Sequence, residues 1–597
     1  MLAVNASLPL HHYAAPYPIV VTVISGGDWW DITQVYRTWV LPNSHWTQLG
    51  PLDNRTAKGP GPAPDWLENV TLWVNNNWGG DPLKPLWGGD PNYVQLEMLK
   101  LNALLDLPAH GGHLALHWYE WDLLGYAAGS NYTKCDRAPA PCGFDTHYPE
   151  YLPARPGCKD AVAAMQDEGM RVIPYINGQL FDVLLPKYET DKASQFAAKL
   201  SPKTMMSTAE GHQPNLTLNT RNFDHISDVV MCPATAYWHG IMRDTMLSIV
   251  NDLGFDGVYV DQVGVEDQRT VADHHCMDPT HNHSAIGGGA YWAEAYYAIM
   301  AEVRAGVNPP SMFMTEGTIE EMQGPAFDVM LGLDWTVLPY VLRQTPTSFL
   351  SFGPFSNCPL TRFHSSTPPT CPVRCTYVVL VRCLIAGWCL RSDGIWPIRL
   401  VPFFVRYWHA IYGGYGYATG RATSGRPLST GGLLDQLTAQ FMVGGTMGWF
   451  TYETHKTEFL LPSNAGKVEY IQRLSMARIA AKRWMVHGRA TRSVVLGGDP
   501  TGSLKTGCFL RDGKPGESPS VVCAVASPKE GVLGNFSLAL HPPRLGLTVP
   551  DRAAVALTDL ITGASYGTFQ SVVSYSASLP EFGVALLKLT VKPHRTQ

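Results

Sequence analysis

Nowhere in these 597 residues do 18 or more apolar residues run consecutively, so the sequence offers no membrane-spanning helix. Charge is scarce as well: Asp, Glu, Lys and Arg make up 16% of the chain, and 44 basic against 50 acidic residues leave a net charge of −6. With no basic excess there is little to track a phosphate backbone, which argues against a nucleic-acid reader. The first residues, Met1-Leu-Ala-Val-Asn-Ala-Ser7, lack the basic stretch and long apolar core of a signal peptide. Apolar residues are not lacking. At 45% hydrophobic the chain can build large cores, which excludes global disorder, and its length suggests two or three domains.

Aromatic residues reach 11%, with 18 Trp and 26 Tyr. Most must be packing residues with a polar handle, yet sugar rings stack on the same faces. Seven Asn-x-Ser/Thr sequons, at Asn5, Asn54, Asn69, Asn131, Asn215, Asn282 and Asn535, point to a secretory or extracellular route. The twelve Cys fit that route: Cys135, Cys142 and Cys158 fall close together, and Cys508 and Cys523 flank a hairpin. The strand-like run from Tyr17 to Ile24 has no partner strands before it, and a lone strand cannot stand. We therefore expect residues 1–65 to be a lead-in, the remnant of an upstream β-domain.

From residue 66 short β-branched or aromatic runs alternate with longer helical stretches, the pattern of strand–helix units around a parallel sheet. Eight strands are expected: Val70 to Asn77, His113 to Asp122, Arg171 to Phe181, Gly257 to Gly264, Met312 to Gly317, Phe327 to Trp335, Val401 to Tyr407 and Thr446 to Tyr452. Eight such units make a (β/α)8 TIM barrel over residues 66–485. Helices are expected at Tyr93 to Leu105 and at Thr235 to Leu253, the second capped by Thr235 and ended by Gly254. Residues 343–400 break the pattern and read as an anomalous insert, with Cys371-Pro-Val-Arg-Cys375 as a weak metal motif. Residues 486–597, with short strands between Gly, Pro and Ser turns, read as a C-terminal β-sandwich.

Catalytic groups of such a barrel project from the C-terminal ends of its strands. Asp261 closes the fourth strand in Val258-Tyr-Val-Asp261, and Glu316 closes the fifth in Met312-Phe-Met-Thr-Glu316. Neighbouring strands lie about 4.8 Å apart, close to the roughly 5–5.5 Å carboxyl separation of a retaining glycosidase. That chemistry needs one carboxylate as nucleophile, for which Asp261 is suited, and one carboxylic acid/base, for which Glu316 is suited; it needs no cofactor. A rim acid can equally cap a helix or pair with an Arg. Glu320 lies one helical turn beyond Glu316, and Asp334 ends the next strand; both are candidate supporting acids. Trp118, Glu120, Trp121, Asp122, Asn177, Gln179 and Gln262 sit at strand ends where a pyranose could stack or hydrogen-bond, with rim packing the plainer reading for each.

Four histidines crowd the segment from His274 to His283: His274, His275, His281 and His283. Metal ligation is one reading, but regular zinc spacings are absent, and ordering a substrate loop or binding a hydroxyl ranks above it. We assign no metal, with His281, His283 and His409 as substrate-binding candidates.

Several stretches resemble an uncharacterised glycosidase-like family. They are Gly27-Asp-Trp-Trp-Asp-Ile-Thr-Gln-Val-Tyr-Arg-Thr-Trp39, Tyr259-Val-Asp261-Gln262, Cys276 through His281-Asn-His283 to Gly287-Gly-Gly289 and Trp292, Thr315-Glu316 with Glu320, and Val401-Pro-Phe-Phe404 with His409. The resemblance covers residues 20–485 except the insert. That family is similar to endo-α-N-acetylgalactosaminidases and, more remotely, to α-amylase-like retaining enzymes. The resemblance implies a nucleophile at Asp261, an acid/base at Glu316, a carbohydrate substrate, and a large β-sandwich upstream of the barrel. The expectation is a retaining glycoside hydrolase of an α-linked glycan. Its rivals are a carbohydrate-binding or inactive homologue, and a metal-dependent hydrolase using the histidine cluster.

Overall fold

The structure, a computed structural model, describes residues 27–44, 47, 63–76, 90–123, 147–183, 185–198, 216–219, 226–263, 276, 278–283, 290–307, 310–316, 326–332, 410, 417–420, 428, 432–497, 504–531, 536–551, 553–570 and 573–592. Within them, the strands up to residue 451 are β1 (Val70–Asn75), β2 (His113–Trp118), β3 (Arg171–Asn177), β4 (Leu180–Asp182), β5 (Leu216–Asn219), β6 (Ile226–Val230), β7 (Gly257–Asp261), β8 (Met312–Glu316), β9 (Val329–Gly332), β10 (Tyr417–Gly420) and β11 (Met447–Thr451). Eight of them form one sheet in the order β10-β9-β8-β7-β3-β2-β1-β11, every neighbouring pair parallel. The end strands β10 and β11 approach within 8 Å between Cα atoms, so the sheet curls until its two edges meet. This is the expected (β/α)8 barrel. Strands covered on both faces should be apolar throughout, and β1 is buried at all six of its residues.

The helices form where side-chain chemistry starts and stops them. Thr235 caps Ala236–Asn251 by accepting from Trp238 N, and Gly254, at φ +80°, takes the left-handed turn beyond its end. Met242, Met246, Ile249 and Val250 are its buried stripe. Asp90 caps Pro91–Leu105 in the same way, with Pro91 at the first turn.

Two strand expectations change. The run Val401 to Tyr407 lies outside the described residues, and β10, only four residues long, takes the seventh place by pairing with β9. Its flank Gly413-Gly-Tyr-Gly416 carries no apolar alternation, which is why the apolar run upstream drew the assignment. The third strand stops at Asn177, because the Asn177 side-chain oxygen accepts from Gln179 N and Leu180 N and turns the chain. Beyond it β4, β6 and β5 form a small antiparallel sheet between β3 and β7. The insert at 343–400 and the run from Tyr17 to Ile24 lie outside the described residues. Within residues 1–65 the main described element is a helix, Trp29–Asn43, opened by a capping box between Asp28 and Asp31.

The C-terminal part is two antiparallel sheets facing each other, the expected sandwich. One has six strands, β12 (Arg489–Thr491), β14 (Lys505–Arg511), β15 (Ser520–Ala526), β20 (Val584–Lys592), β17 (Ala554–Asp559) and β18 (Ser565–Phe569), in that spatial order; the other has β13 (Val495–Gly497), β16 (Phe536–Leu540) and β19 (Val573–Ala577). Along β15, Val521, Cys523 and Val525 point into the sandwich core, while Val522, Ala524 and Ala526 join the barrel core. Cys523 is disulfide-bonded to Cys508 on β14, directly opposite it in register.

Candidate active site

The site begins with strand register. β7 and β8 pair from Gly257 opposite Met312 to Val260 opposite Thr315, so the next residues, Asp261 and Glu316, end their strands level with each other. Each strand is buried along its length until that last residue, which is half-exposed. The Thr315 hydroxyl donates to Val260 O at 2.8 Å and locks the two ends together. On the other side β3 pairs with β7 up to Asn177 opposite Asp261, and Gly178 N donates to Asp261 O at 2.9 Å.

Asp261 is held by phenols. Tyr175 donates to one carboxylate oxygen at 2.8 Å and Tyr259 to the other at 3.0 Å, while Tyr148 donates to the Tyr175 oxygen at 3.0 Å. Each carboxylate oxygen can accept more than one hydrogen bond, so both phenols are satisfied at once. The Tyr259 hydroxyl is pushed far above the ordinary tyrosine range, first by burial and then by the charges of Asp261 and Glu316. It stays a donor at any working pH, and both carboxylates act on this one ring.

Beneath the carboxylates lies an aromatic floor. The His117 ring lies 4.6 Å from Tyr119, 4.3 Å from Tyr259 and 5.3 Å from Trp449 between centroids. Complete burial pushes the imidazole well below its usual range, so it is neutral, and its Nδ1 accepts from Trp449 Nε1 at 2.6 Å. These residues were missed in the sequence, although the signal was present: period-two alternation puts Tyr259 on the face of Asp261 and Tyr175 on the face of Asn177.

Of the other sequence candidates, Gln179 and Gln262 do come together beside Asp261, with Gln179 Nε2 donating to Gln262 Oε1 at 2.9 Å. Trp118 and Trp121 are buried, at 0% and 1% exposure. Trp118 packs edge-on against Phe255, and Trp121 does the same while donating to Tyr175 O. His117 and Trp118 are adjacent on a strand, so if one faces the barrel interior the other must face away. Asn177 is wholly buried, with its side-chain oxygen committed to the turn. Glu120 and Asp122 are buried near Arg155. Burial, with the Asp122 charge adding and Arg155 opposing, pushes Glu120 up to about 8. Glu320, Asp334, His409, His274 and His275 lie outside the described residues.

His281 is buried with both ring nitrogens engaged, Nδ1 at 3.2 Å from Cys276 Sγ and Nε2 at 2.8 Å from Gln195 O. His283 stacks on Tyr291, with centroids 4.3 Å apart.

Against known proteins, residues 140–345 match a family described as a domain of unknown function (DUF6259). A Monosiga brevicollis protein named "Putative glycoside hydrolase 22789" is 27% identical over 455 residues, 75% of this chain and 31% of its own length. A "Putative glycoside hydrolase" of Bacteroides thetaiotaomicron is 27% identical over 270 residues, 45% of this chain and 32% of its own. The chain thus spans about a third of the length of these relatives. Among solved structures, the α-N-acetylgalactosaminidase NagBb of Bifidobacterium bifidum is 14% identical with a TM-score of 0.46, covering 84% of this chain and 63% of that one. The maltogenic α-amylase AmyB of Thermotoga neapolitana is 11% identical with a TM-score of 0.46, covering 88% and 100%. By sequence, this chain is a relative of glycosidase-like proteins.

Proposed function

We propose that this chain is a retaining glycoside hydrolase acting on an α-linked glycan. Asp261 attacks the anomeric carbon while Glu316 gives its proton to the departing glycosidic oxygen, leaving a glycosyl ester on Asp261. Glu316 then takes a proton from water, whose oxygen displaces the ester and restores both carboxyl groups. Tyr175 and Tyr259 hold the nucleophile in line, and Gln179 and Gln262 offer amide groups beside it. The observation that carries this reading is the level ending of β7 and β8, which leaves two half-exposed carboxyl groups side by side on adjacent strands. The names of the sequence relatives support the same class.

Asp261→Asn tests it. On aryl α-glycosides the substitution should cut turnover about a thousandfold or more while glycan binding, read by calorimetry, stays within a few-fold. Proton NMR of the first-formed sugar should show the α anomer. Turnover that survives the substitution would end the proposal, and a parent chain that binds glycans without hydrolysing any would make this a carbohydrate-binding protein.

A further inference from the structure

The long connection between β7 and the helix Ala290–Gly306 starts at the proposed nucleophile and returns to it, since Trp292 Nε1 donates to Val263 O at 3.1 Å. Part of this connection meets the junction between β6 and the helix Ala236–Asn251. At that meeting point the Sγ atoms of Cys232 and Cys276 and a ring nitrogen of each of His281 and His283 lie within 4.8 Å of one another. We propose that these four residues bind one zinc ion, or a borderline-soft divalent cation of the same class, as a closed structural site that pins the connection following Asp261.

Each ligand is already fixed by its surroundings. Cys232 is held on both sides by backbone, donating to Phe196 O at 3.0 Å and accepting from Thr235 N at 3.1 Å. His281 sits in a single 3-10 turn, Pro279–His281, opened by Asp278, whose side chain accepts from Thr280 N at 2.9 Å. Its Nε2 donates to Gln195 O, so Nδ1 carries the lone pair, and that nitrogen faces Cys276 Sγ. A histidine whose far nitrogen is tied to a carbonyl is the usual outer support of a metal-bound imidazole. Asn282, at φ +57°, then swings His283 back toward the same point.

His283 supplies an independent sign. Both of its ring nitrogens are buried and neither has a hydrogen-bond partner among the described residues. Burying an imidazole this way is costly, and a cation on one nitrogen removes half of that cost. Cys232 and Cys276 are both wholly buried and neither is in a disulfide.

Size and donor chemistry agree. Zn–S of about 2.3 Å and Zn–N of about 2.0–2.1 Å put tetrahedral ligand atoms roughly 3.3–3.8 Å apart, so this cluster needs only a slight contraction. Two sulfurs and two imidazoles exclude calcium and magnesium, which take oxygen. On binding, the two thiols release two protons to solvent and the thiolates balance the dication. Four protein ligands leave no place for a water, so this ion positions chain and does not perform hydrolysis.

The test uses the full chain purified under reducing conditions with zinc present. Elemental analysis should find about one zinc per chain, and the cobalt(II) form should show tetrahedral ligand-field bands with a thiolate-to-cobalt charge-transfer band. Cys276→Ser should weaken that band, and His283→Phe, which keeps the stack on Tyr291 but loses the donor, should weaken zinc retention at least about tenfold. His283→Cys should restore retention with a stronger charge-transfer band. A folded parent chain that holds no zinc, a cobalt spectrum without the charge-transfer band, or His283→Phe with undiminished retention would each overturn the site. A Cys232–Cys276 disulfide in this zinc-supplied protein would do the same. None of these readouts depends on glycosidase activity.

Discussion

At the scale of single residues, the positions of Asp261 and Glu316 at the ends of two apolar strands were legible, and the structure ends both strands there. Their phenol supports were not. Tyrosine at an inward strand position looks like any core aromatic, and only the folded register shows its hydroxyl reaching Asp261. Tyr175→Phe removes one of the two donors without changing the ring, so we expect kcat to fall about tenfold with KM nearly unchanged, measured by steady-state kinetics. Glu120 gives a second prediction. Its carboxyl keeps its proton up to about 8 when folded but loses it near 4.5 when unfolded, so the folded chain binds the extra proton between those values. Stability from this group is therefore full below 4.5 and lost as the pH climbs to 8, at no more than about 1.4 kcal/mol per pH unit. In urea titrations across that range, Glu120→Gln should flatten the decline; an unchanged slope would mean another group sets it.

Elements were readable where local chemistry decides them. Thr235 before an apolar stripe and Gly254 after it named a helix that formed within two residues of the expected ends, since caps and breakers act over one turn. The end of β3 was not readable, because it is set by the Asn177 turn together with a close approach between strands just beyond it. A Cβ on Gly178 would lie 2.2 Å from Val263 Cγ2 and 2.7 Å from Val260 Cγ1, and its carbonyl already accepts from Trp238 Nε1 and the Tyr296 hydroxyl. Gly178→Ala must push apart the strand ends that carry Asp261. It should cost about 1–3 kcal/mol and lower kcat as well, read by chemical unfolding alongside kinetics. β10 escaped for a different reason: four residues flanked by glycines carry too little periodicity to mark a strand.

For the whole molecule, the order of barrel and sandwich followed from the strand–helix alternation and its change to short strands near residue 485, but how they join did not. β15, Ser520-Val-Val-Cys-Ala-Val-Ala526, is apolar on both faces and both are buried, one in the sandwich core and the other in the barrel core, where the helix Leu433–Met442 lies against β14 and Ala465–Ala480 against β20. One sheet thus serves two cores, so barrel and sandwich should melt in a single calorimetric transition. Val522→Asp, a charge buried at the joint, should lower that transition without splitting it; two separate endotherms in the parent chain would show the parts to be independent.

The helix Trp29–Asn43 adds one more connection at this scale. Arg492 grips it through Asp28 and Asp31 at 2.7 and 2.5 Å, with the guanidinium over the Trp30 ring. The gripping pair Asp31 and Arg492 are 461 residues apart in sequence. During synthesis at about 5–20 residues per second, that helix waits roughly 20–90 s for its clasp to leave the ribosome. Through that interval Trp30 lacks the Arg492 guanidinium that lies over its ring and the Ala490 carbonyl that accepts from its Nε1, so a helix made ahead of the barrel is fastened only after it, a natural place for a chaperone to hold on.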